Sequence, residues 1–255
     1  MVQLKVDERI DALPGLDIRI IQSSRVFSFS LDAVLLAYFT RMRRRASSRT
    51  VDLCSGNGAV GLFVSQKTRG KIIEIELQPK LADMARRSVR LNHKTNQIRV
   101  LTLDLKRTFR ALPKNSCDVV TCNPPYFANL KTSHKNPNPY LAIARHEIKT
   151  NLRQVVNVVS QLLKSHGHAD LVYRPDRLLE MLYALRQNQL VPKRLQFTYP
   201  TLHSPAQLVL IDAVKSGKVR GLKIMPPLIV RNQDNSDNSA LMKKIMQNRW
   251  PGCLF

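Results

Sequence analysis

The four residues Asn123-Pro124-Pro125-Tyr126 follow a short apolar run, Cys117-Asp118-Val119-Val120-Thr121-Cys122, that reads as a buried strand. Consecutive prolines lack backbone N–H donors and restrict the residue before each, so the chain must leave the sheet after Cys122 in a stiff, extended turn with its carbonyls outward. An amide side chain, carbonyls without a local donor and an aromatic face together can grip a flat ring that carries an exocyclic amine, as a nucleobase does. Such an amine is a poor nucleophile because its lone pair is delocalised into the ring. Two acceptors on its hydrogens, Asn123 Oδ1 and the Pro124 carbonyl, push the nitrogen towards a reactive geometry, while Tyr126, with Phe127 beside it, is placed to stack on the base. Holding the nitrogen in line with an electrophilic carbon removes about 7–11 kcal/mol of barrier, and no general base is demanded. The plainer reading is a proline loop in which Asn123 caps a turn and Tyr126 is half-buried.

A donor of the electrophilic carbon must sit beside that turn. Gly56-Asn57-Gly58-Ala59-Val60-Gly61 matches the dinucleotide pattern G-x-G-x-x-G, which raises a nicotinamide or flavin enzyme. Asp52, just before the loop, argues otherwise: its carboxylate favours a ligand bearing an ammonium, whereas a pyrophosphate gains nothing from an added anion. S-adenosylmethionine has an ammonium, a sulfonium, a ribose and an adenine, and no phosphate. Cys54, Gly56, Asn57 and Gly58 then form its cradle, Glu76 at the end of the second strand accepts both ribose hydroxyls, and Asp104 at the end of the third accepts the adenine amino group. Each acid taken alone also fits an Asx turn or a solvated strand end.

These residues resemble the amino-methylating class I S-adenosylmethionine methyltransferases: Asp52-Leu53-Cys54-Ser55-Gly56-Asn57-Gly58, Glu76, Asp104 and Asn123-Pro124-Pro125-Tyr126. More narrowly, Phe27-Ser28-Phe29-Ser30-Leu31-Asp32-Ala33-Val34-Leu35-Leu36, Val119 to Phe127 and Arg145-His146-Glu147 are similar to bacterial enzymes that N6-methylate adenosine 37 of valine tRNA. The resemblance implies a Rossmann-like α/β fold, a mostly parallel seven-stranded sheet with helices on both faces and a terminal antiparallel strand. It also implies that the segment holding Phe29 and Ser30 closes over the methionine end of the cofactor. The wider superfamily often has glycine where Cys54 stands, so no positive φ is expected at this position here.

The elements that must place these groups can be read in order. Residues 1–30 form a lead-in with a turn at Pro14-Gly15; Asp32 to Phe39 reads as a helix with Ser30 or Asp32 accepting from its first N–H groups. Thr50 to Cys54, Lys71 to Glu76, Ile98 to Leu103 and Cys117 to Cys122 read as strands, alternating with helices from Ala59 to Gln66 and Pro79 to His93. That alternation implies a parallel, doubly wound sheet with ligands at the carboxyl ends of its strands. Lys131 to Pro139 is polar, basic and broken by proline, a loop of the kind that carries function. Beyond it lie a helix from Thr150 to Lys164, a strand from His168 to Tyr173, a helix from Pro175 to Asn188, strands at Leu195 to Tyr199 and Gln207 to Val214, and a short basic helix from Ser239 to Asn248. One domain is expected over 1–231, with 232–255 as a basic tail.

Forty-one Lys and Arg against eighteen Asp and Glu give a formal charge of +23, far more than solubility needs, and point to a polyanionic partner. Arg41, Arg43, Arg44, Arg45, Phe127, Lys131, Lys135, His146, Lys243 and Lys244 are the candidate RNA contacts, with tRNA as the substrate. No run of about 18 apolar residues occurs, so no membrane span is expected, and the mixed, charged N-terminus does not read as a signal peptide. Cys54, Cys117, Cys122 and Cys253 lack the paired spacing of a zinc site. The expectation is a reduced, cytoplasmic, metal-free protein, taken as a monomer. Competing substrates for the same turn are a protein glutamine amide, rRNA and DNA; a non-catalytic RNA-binding protein is the reading from another class.

Overall fold

The computed structural model describes residues 2–13, 15–26, 28–127, 138–232 and 234–247. Phe27, Lys131, Lys135, Trp250 and most of the proline-broken loop lie outside them. The lead-in contains a hairpin that its sequence hides: β1 (Glu8–Ala12) pairs antiparallel with β2 (Arg19–Ser23), Glu8 opposite Ser23 and Ala12 opposite Arg19. Glu-Arg-Ile-Asp-Ala presents no apolar run to read. α1 (Leu31–Phe39) follows, and the hairpin packs on α3 (Pro79–Leu91), where the Ile21 N–H donates to Ser88 Oγ at 2.9 Å.

The central sheet is built from β3 (Arg49–Leu53), β4 (Lys71–Glu76), β5 (Ile98–Thr102), β6 (Cys117–Cys122), β7 (Leu163–Tyr173), β8 (Leu190–Tyr199) and β9 (Leu208–Lys215). It has nine strands because β10 (Lys223–Ile224) and β11 (Leu228–Ile229), two residues each, extend the β8 edge of the expected seven. The order is β10-β8-β9-β7-β6-β3-β4-β5, parallel throughout except that β9 runs against both β7 and β8. From β3 the chain winds one way to β4 and β5, then returns to β6 on the other side. This reversal opens a crevice at the carboxyl ends of β3 and β6, where open α/β sheets take ligands.

Alternation along the strands divides the core. Val51, Leu53, Ile75 and Val120 pack with α5 (Leu152–Leu162) and α6 (Leu178–Gln187) on one face; Ile72 and Val172 pack with α1, α2 (Ala59–Val64) and α3 on the other. α3 is amphipathic, burying Leu81, Ala82, Met84, Ala85, Ser88 and Val89, with Pro79 at its start, where a missing N–H is harmless. α5 is set by a capping box between Asn151 and Gln154. It stops at Leu162, and β7 begins at once with Leu163, five residues before the expected start at His168. β8 likewise starts at Leu190 instead of Leu195. Pro192 and the charged pair after it have the composition of a loop, yet Pro192 sits at a register shift, the place a strand tolerates proline.

α4 (Pro139–Arg145) opens behind an Asn138 cap, whose Oδ1 accepts from the Tyr140 N–H at 3.0 Å. α7 (Ala240–Met246), within the stretch read as a tail, places Met242 and Ile245 in the same core as α1. Among the described residues no helix is long and apolar enough to cross a membrane.

Candidate active site

β3 ends in a run of left-handed backbone. Cys54 stands at φ 56°, Gly56 at 58° and Gly58 at 85°. The expectation that Cys54 needs no positive φ is therefore overturned. The chain must turn off the sheet here whether or not glycine is available, and a side chain at such a position costs about 1–2 kcal/mol. The turn is closed by the Gly58 N–H donating to the Ser55 carbonyl (2.9 Å) and by the Ser55 N–H donating to the Ile75 carbonyl (3.1 Å). Asn57 is buried and anchored to the hairpin, its Nδ2 donating to the Ile21 carbonyl at 3.2 Å.

A cavity of about 430 Å³ opens over this turn. Its wall includes Asp52, Cys54, Gly56, Asn57, Glu76 and Asp104, as well as Asn123 to Phe127, Phe29 and Ser30. Gly58, expected in the cradle, does not line it; Gly58 lies behind the wall, where an added Cβ would come within 2.8 Å of Glu74 Oε2. Glu76 binds the Gly56 N–H through Oε2 and the Gln78 N–H through Oε1, both at 2.8 Å, so one carboxylate ties the glycine turn to the end of β4. Burial pushes its carboxyl up, against the pull of those backbone donors. Asp104 caps the 3₁₀ turn Leu105–Arg110, accepting from the Lys106 N–H at 2.8 Å, and still faces the cavity. The turn-capping and ligand-facing readings of Asp104 thus coexist.

Asp52 is buried. Oδ1 accepts from Thr121 Oγ1 at 2.6 Å, while Oδ2 has no hydrogen-bond partner. Burial, helped by the neighbouring Glu76 charge and opposed by the Thr121 bond and by the nearby Gly61 N–H of the first turn of α2, pushes its carboxyl up to about 7. A buried carboxylate oxygen left without a donor at the wall of a cavity fits a ligand that brings an ammonium.

The second wall is the proline turn. Tyr126 does not project freely: its hydroxyl donates to Asp32 Oδ2 at 2.9 Å and also contacts Asn123 Oδ1, and its ring meets Tyr173 edge-on with centroids 5.9 Å apart. An amide oxygen carries two lone pairs, so Asn123 keeps one for another donor. Burial and the Asp32 charge hold the Tyr126 hydroxyl protonated. The sequence reads Asp32 and Ser30 as helix caps. Ser30 is the N-cap but makes no capping bond, and Asp32 is spent on Tyr126.

Arg177 secures the turn from below. Nη1 donates to the Tyr126 carbonyl and to Glu147 Oε1, both at 2.8 Å, and the guanidinium lies 5.4 Å from the Tyr173 ring centroid. The Glu147 N–H in turn donates to the Phe127 carbonyl at 2.8 Å. Phe127, 43% exposed, packs on the His146 ring at 5.4 Å. Arg177, Lys149 and Arg174 carry no motif that marks them as site residues in the sequence, and Asp32 reads there only as a helix cap; all but Arg177 line the cavity.

The basic residues separate into two groups. Arg41 to Arg45 follow the far end of α1 and lead into the first residue of β3, so they lie at the amino ends of the strands, away from the cavity. Arg43, Arg44 and Arg45 are exposed there. Lys243 and Lys244 are exposed on α7, which packs on β11; Lys243 pairs with Asp237 at 2.5 Å. Among the described residues no group of three or more His, Cys, Asp or Glu could hold a metal ion.

Comparison with known proteins agrees with the fold that carries this site. The family model for the methyltransferase small domain matches residues 17–174. The tRNA1(Val) (adenine(37)-N6)-methyltransferase of Shewanella halifaxensis is 27% identical over 157 residues, 61% of this chain and 61% of that protein. Its counterpart in Bacteroides fragilis strain YCH46 is 28% identical over 145 residues, 57% of this chain and 59% of that protein. The chain thus spans about three-fifths of the length of the curated relatives it matches. Among solved structures, a predicted O-methyltransferase from Agrobacterium tumefaciens superposes with a TM-score of 0.68 at 24% identity, covering 86% of this chain and 96% of that one. P. horikoshii TYW2 in complex with MeSAdo gives 0.56 at 14% identity, covering 84% and 73%. At these identities the likeness is one of fold.

Proposed function

The chain belongs to the methyltransferase small domain family, whose model spans more than half of it, and on that premise we propose that it transfers a methyl group from S-adenosylmethionine to the exocyclic N6 of an adenosine in tRNA. The position favoured is adenosine 37 of valine tRNA, the substrate named for the curated relatives. One observation carries the reading: a single cavity is walled on one side by the strand-end acids Asp52, Glu76 and Asp104 and on the other by Asn123-Pro124-Pro125-Tyr126.

Asp52 Oδ2, buried and without a donor, takes the ammonium of the cofactor. Glu76, pinned by two backbone N–H groups, offers its remaining lone pairs to the ribose hydroxyls, and Asp104 receives the adenine amino group. When bound, S-adenosylmethionine supplies the electrophilic methyl carbon on its sulfonium. Asn123 Oδ1 uses its second lone pair to accept from the target amine and holds the nitrogen towards that carbon. The Tyr126 and Phe127 carbonyls are already engaged by Arg177 and Glu147, so the second acceptor comes from the earlier carbonyls of the turn, and we assign it to Pro124, next to Asn123. The amine proton lost after transfer needs no buried base and passes to solvent.

An unstacked loop base is the cheapest target because flipping a paired one costs a few kcal/mol, and single-stranded loops are where RNA sequence is usually read. Phe127 stands at the rim where the loop enters, while His146, read from the sequence as an RNA contact, is buried behind it and supports its ring; Lys149 and Arg174 on the cavity wall face the loop's phosphates.

Labelled S-adenosylmethionine incubated with unmodified tRNA, followed by digestion and nucleoside mass analysis, should yield N6-methyladenosine. Label in protein, rRNA or DNA instead would move the substrate and leave the cofactor site standing. Asn123→Ala should lower turnover at least 10²-fold while cofactor affinity stays within a few-fold, since positioning of the reacting atom is what it removes. Glu76→Ala should weaken cofactor binding first. Equal loss of both functions in Asn123→Ala would make Asn123 a structural residue.

A further inference from the structure

Glu74 occupies the middle of β4 between Ile73 and Ile75, where an apolar residue would be expected, and it is fully buried. It pairs in register with Asp52 across β3 and β4, and Asp52 pairs with Thr121 across β3 and β6. Directly paired residues of neighbouring strands point to the same face, so Glu74, Asp52 and Thr121 form one row under the glycine turn. Both carboxyl oxygens of Glu74 and Oδ2 of Asp52 are buried without a hydrogen-bond partner. Two ionised carboxylates side by side in such a place repel strongly. A carboxyl that keeps its proton is, by contrast, a donor, and a Glu74 O–H directed at Asp52 Oδ2 partners two of these three oxygens while leaving Oδ2 a second lone pair for an ammonium. The cofactor turn is shaped around this group. A Cβ on Gly61 would overlap Glu74 Oε1, and one on Gly58 would lie 2.8 Å from Oε2.

We propose that Glu74 is a positioning residue for the cofactor's ammonium group: with its proton retained it backs Asp52, and the pair releases one proton to solvent when the cationic ligand binds. The inference rests on the cofactor reading above. The balance is simple. One O–H bond breaks at Asp52, its proton goes to the buffer, and the carboxylate charge left behind is matched by the ammonium; no electron is transferred.

The surroundings favour the exchange. Burial and the Asp52 charge hold the Glu74 carboxyl well above the usual carboxylate range, while Asp52 itself, raised by burial and by Glu76, stands at about 7. Facing the pair are Glu76 farther along β4, Thr121, and, next across the sheet from Thr121, Asp170 with Asp212 and Arg194; the Cys122 thiol lies on the other face of the sheet, within electrostatic reach of Asp52, with Cys54 beside it. α2 contributes no titratable side chain, and α3 presents Ala85 beside Gly58. The sign follows: the ionised Asp52 is the form that binds a cation. Affinity is therefore full above a pH of about 7 and weakens as pH falls through that value, approaching tenfold per unit.

The test is calorimetric titration of the full chain with S-adenosylhomocysteine between about pH 6 and 8, the window in which a group of near-neutral pKa changes charge, in two buffers of different ionisation enthalpy. The expected result is release approaching one proton per ligand at the acid end and little at the alkaline end, with none on binding 5′-methylthioadenosine, which lacks the ammonium. Glu74→Gln, whose neutral amide still donates to Asp52 as the protonated carboxyl does, should keep the release, whereas Glu74→Met, which takes that donor away from the Asp52 carboxylate, should move the release and the loss of affinity to higher pH. Asp52→Asn removes the group that loses the proton and must abolish the release, which keeps the test decisive should Glu74→Met fail to fold. Binding without pH-dependent release, release that survives Asp52→Asn, or a pH dependence unchanged in Glu74→Met overturns the inference alone. Failure of S-adenosylhomocysteine to bind at any pH overturns the cofactor reading as well.

Discussion

Cys54 holds a left-handed backbone, φ 56°, with a side chain in place of hydrogen. Its thiol packs against the core formed by β3, β6 and their covering helices, so replacing it removes packing whatever the substitute. Cys54→Gly and Cys54→Ala share that loss and differ in the Cβ penalty, and the glycine variant should be the more stable by about 1 kcal/mol in chemical denaturation. Equal stabilities would mean that the turn relaxes around a Cβ at no cost. The conformation was not legible because φ leaves no trace in a single sequence; the cysteine read as the absence of a requirement. Asp52, Glu76, Asp104 and Asn123 stood out in the sequence, Asp52 because it immediately precedes the glycine turn and the others because each ends or follows an apolar run, and a strand end fixes where such a side chain goes. Asp32 was not. Its partner Tyr126 is 94 positions away, so the local pattern offered only a helix cap. Glu74 was hidden for a related reason: alternation with isoleucine implies a face, and the face it shares with Asp52 is set by strand pairing that only the fold supplies.

Between elements, Arg177 joins the end of β6, the segment after α4 and the start of α6, because its planar fork reaches the Tyr126 carbonyl, Glu147 and Glu180 together. Its side chain is only 16% exposed, and the geometry depends on several donors in one plane, which a lysine lacks. Arg177→Met should therefore loosen the proline turn without touching the strand-end acids. Methylation of RNA should fall roughly 10–100-fold through misplacement of the amine acceptors, with cofactor affinity in equilibrium titrations nearly unchanged and Arg177→Lys intermediate. A parallel loss of cofactor binding would show that the cavity is a single unit and that the turn is not separately supported. The order of strands and helices through β6 was readable because each is an apolar run bounded by turn residues. The first half of β8 was not, for Arg194 looks like loop chemistry. In the sheet it faces Asp212, with Nε 2.8 Å from Oδ2, and its guanidinium stands 4.2 Å from the Phe39 centroid. A buried ion pair between strands erases the hydrophobic alternation by which strands are recognised.

At the scale of the molecule, the formal +23 understates the outward field. Asp52, Glu74, Glu76, Asp170 and Asp212 are buried, while Glu8 and Asp83 are bound to Arg87. Where a polyanion settles is a matter of which cations can act together. Arg43, Arg44 and Arg45 sit before β3 and the cavity lies after it, and five residues of strand span roughly 16 Å. Arginines there cannot grip the same few nucleotides whose base enters the cavity, so the run of arginines that stood out in the sequence is the weaker candidate, and Lys149 and Arg174 on the cavity wall are the stronger. The slope of log affinity for tRNA against log salt separates the two, because each phosphate that the protein ceases to neutralise makes it shallower by about 0.7–0.9. Lys149→Gln with Arg174→Gln should lower the slope by about two such steps, and Arg43, Arg44 and Arg45 changed together to Gln should lower it by less than one. The reverse ranking would place the RNA body along the amino ends of the strands, with only the target loop reaching around the sheet edge to Asn123.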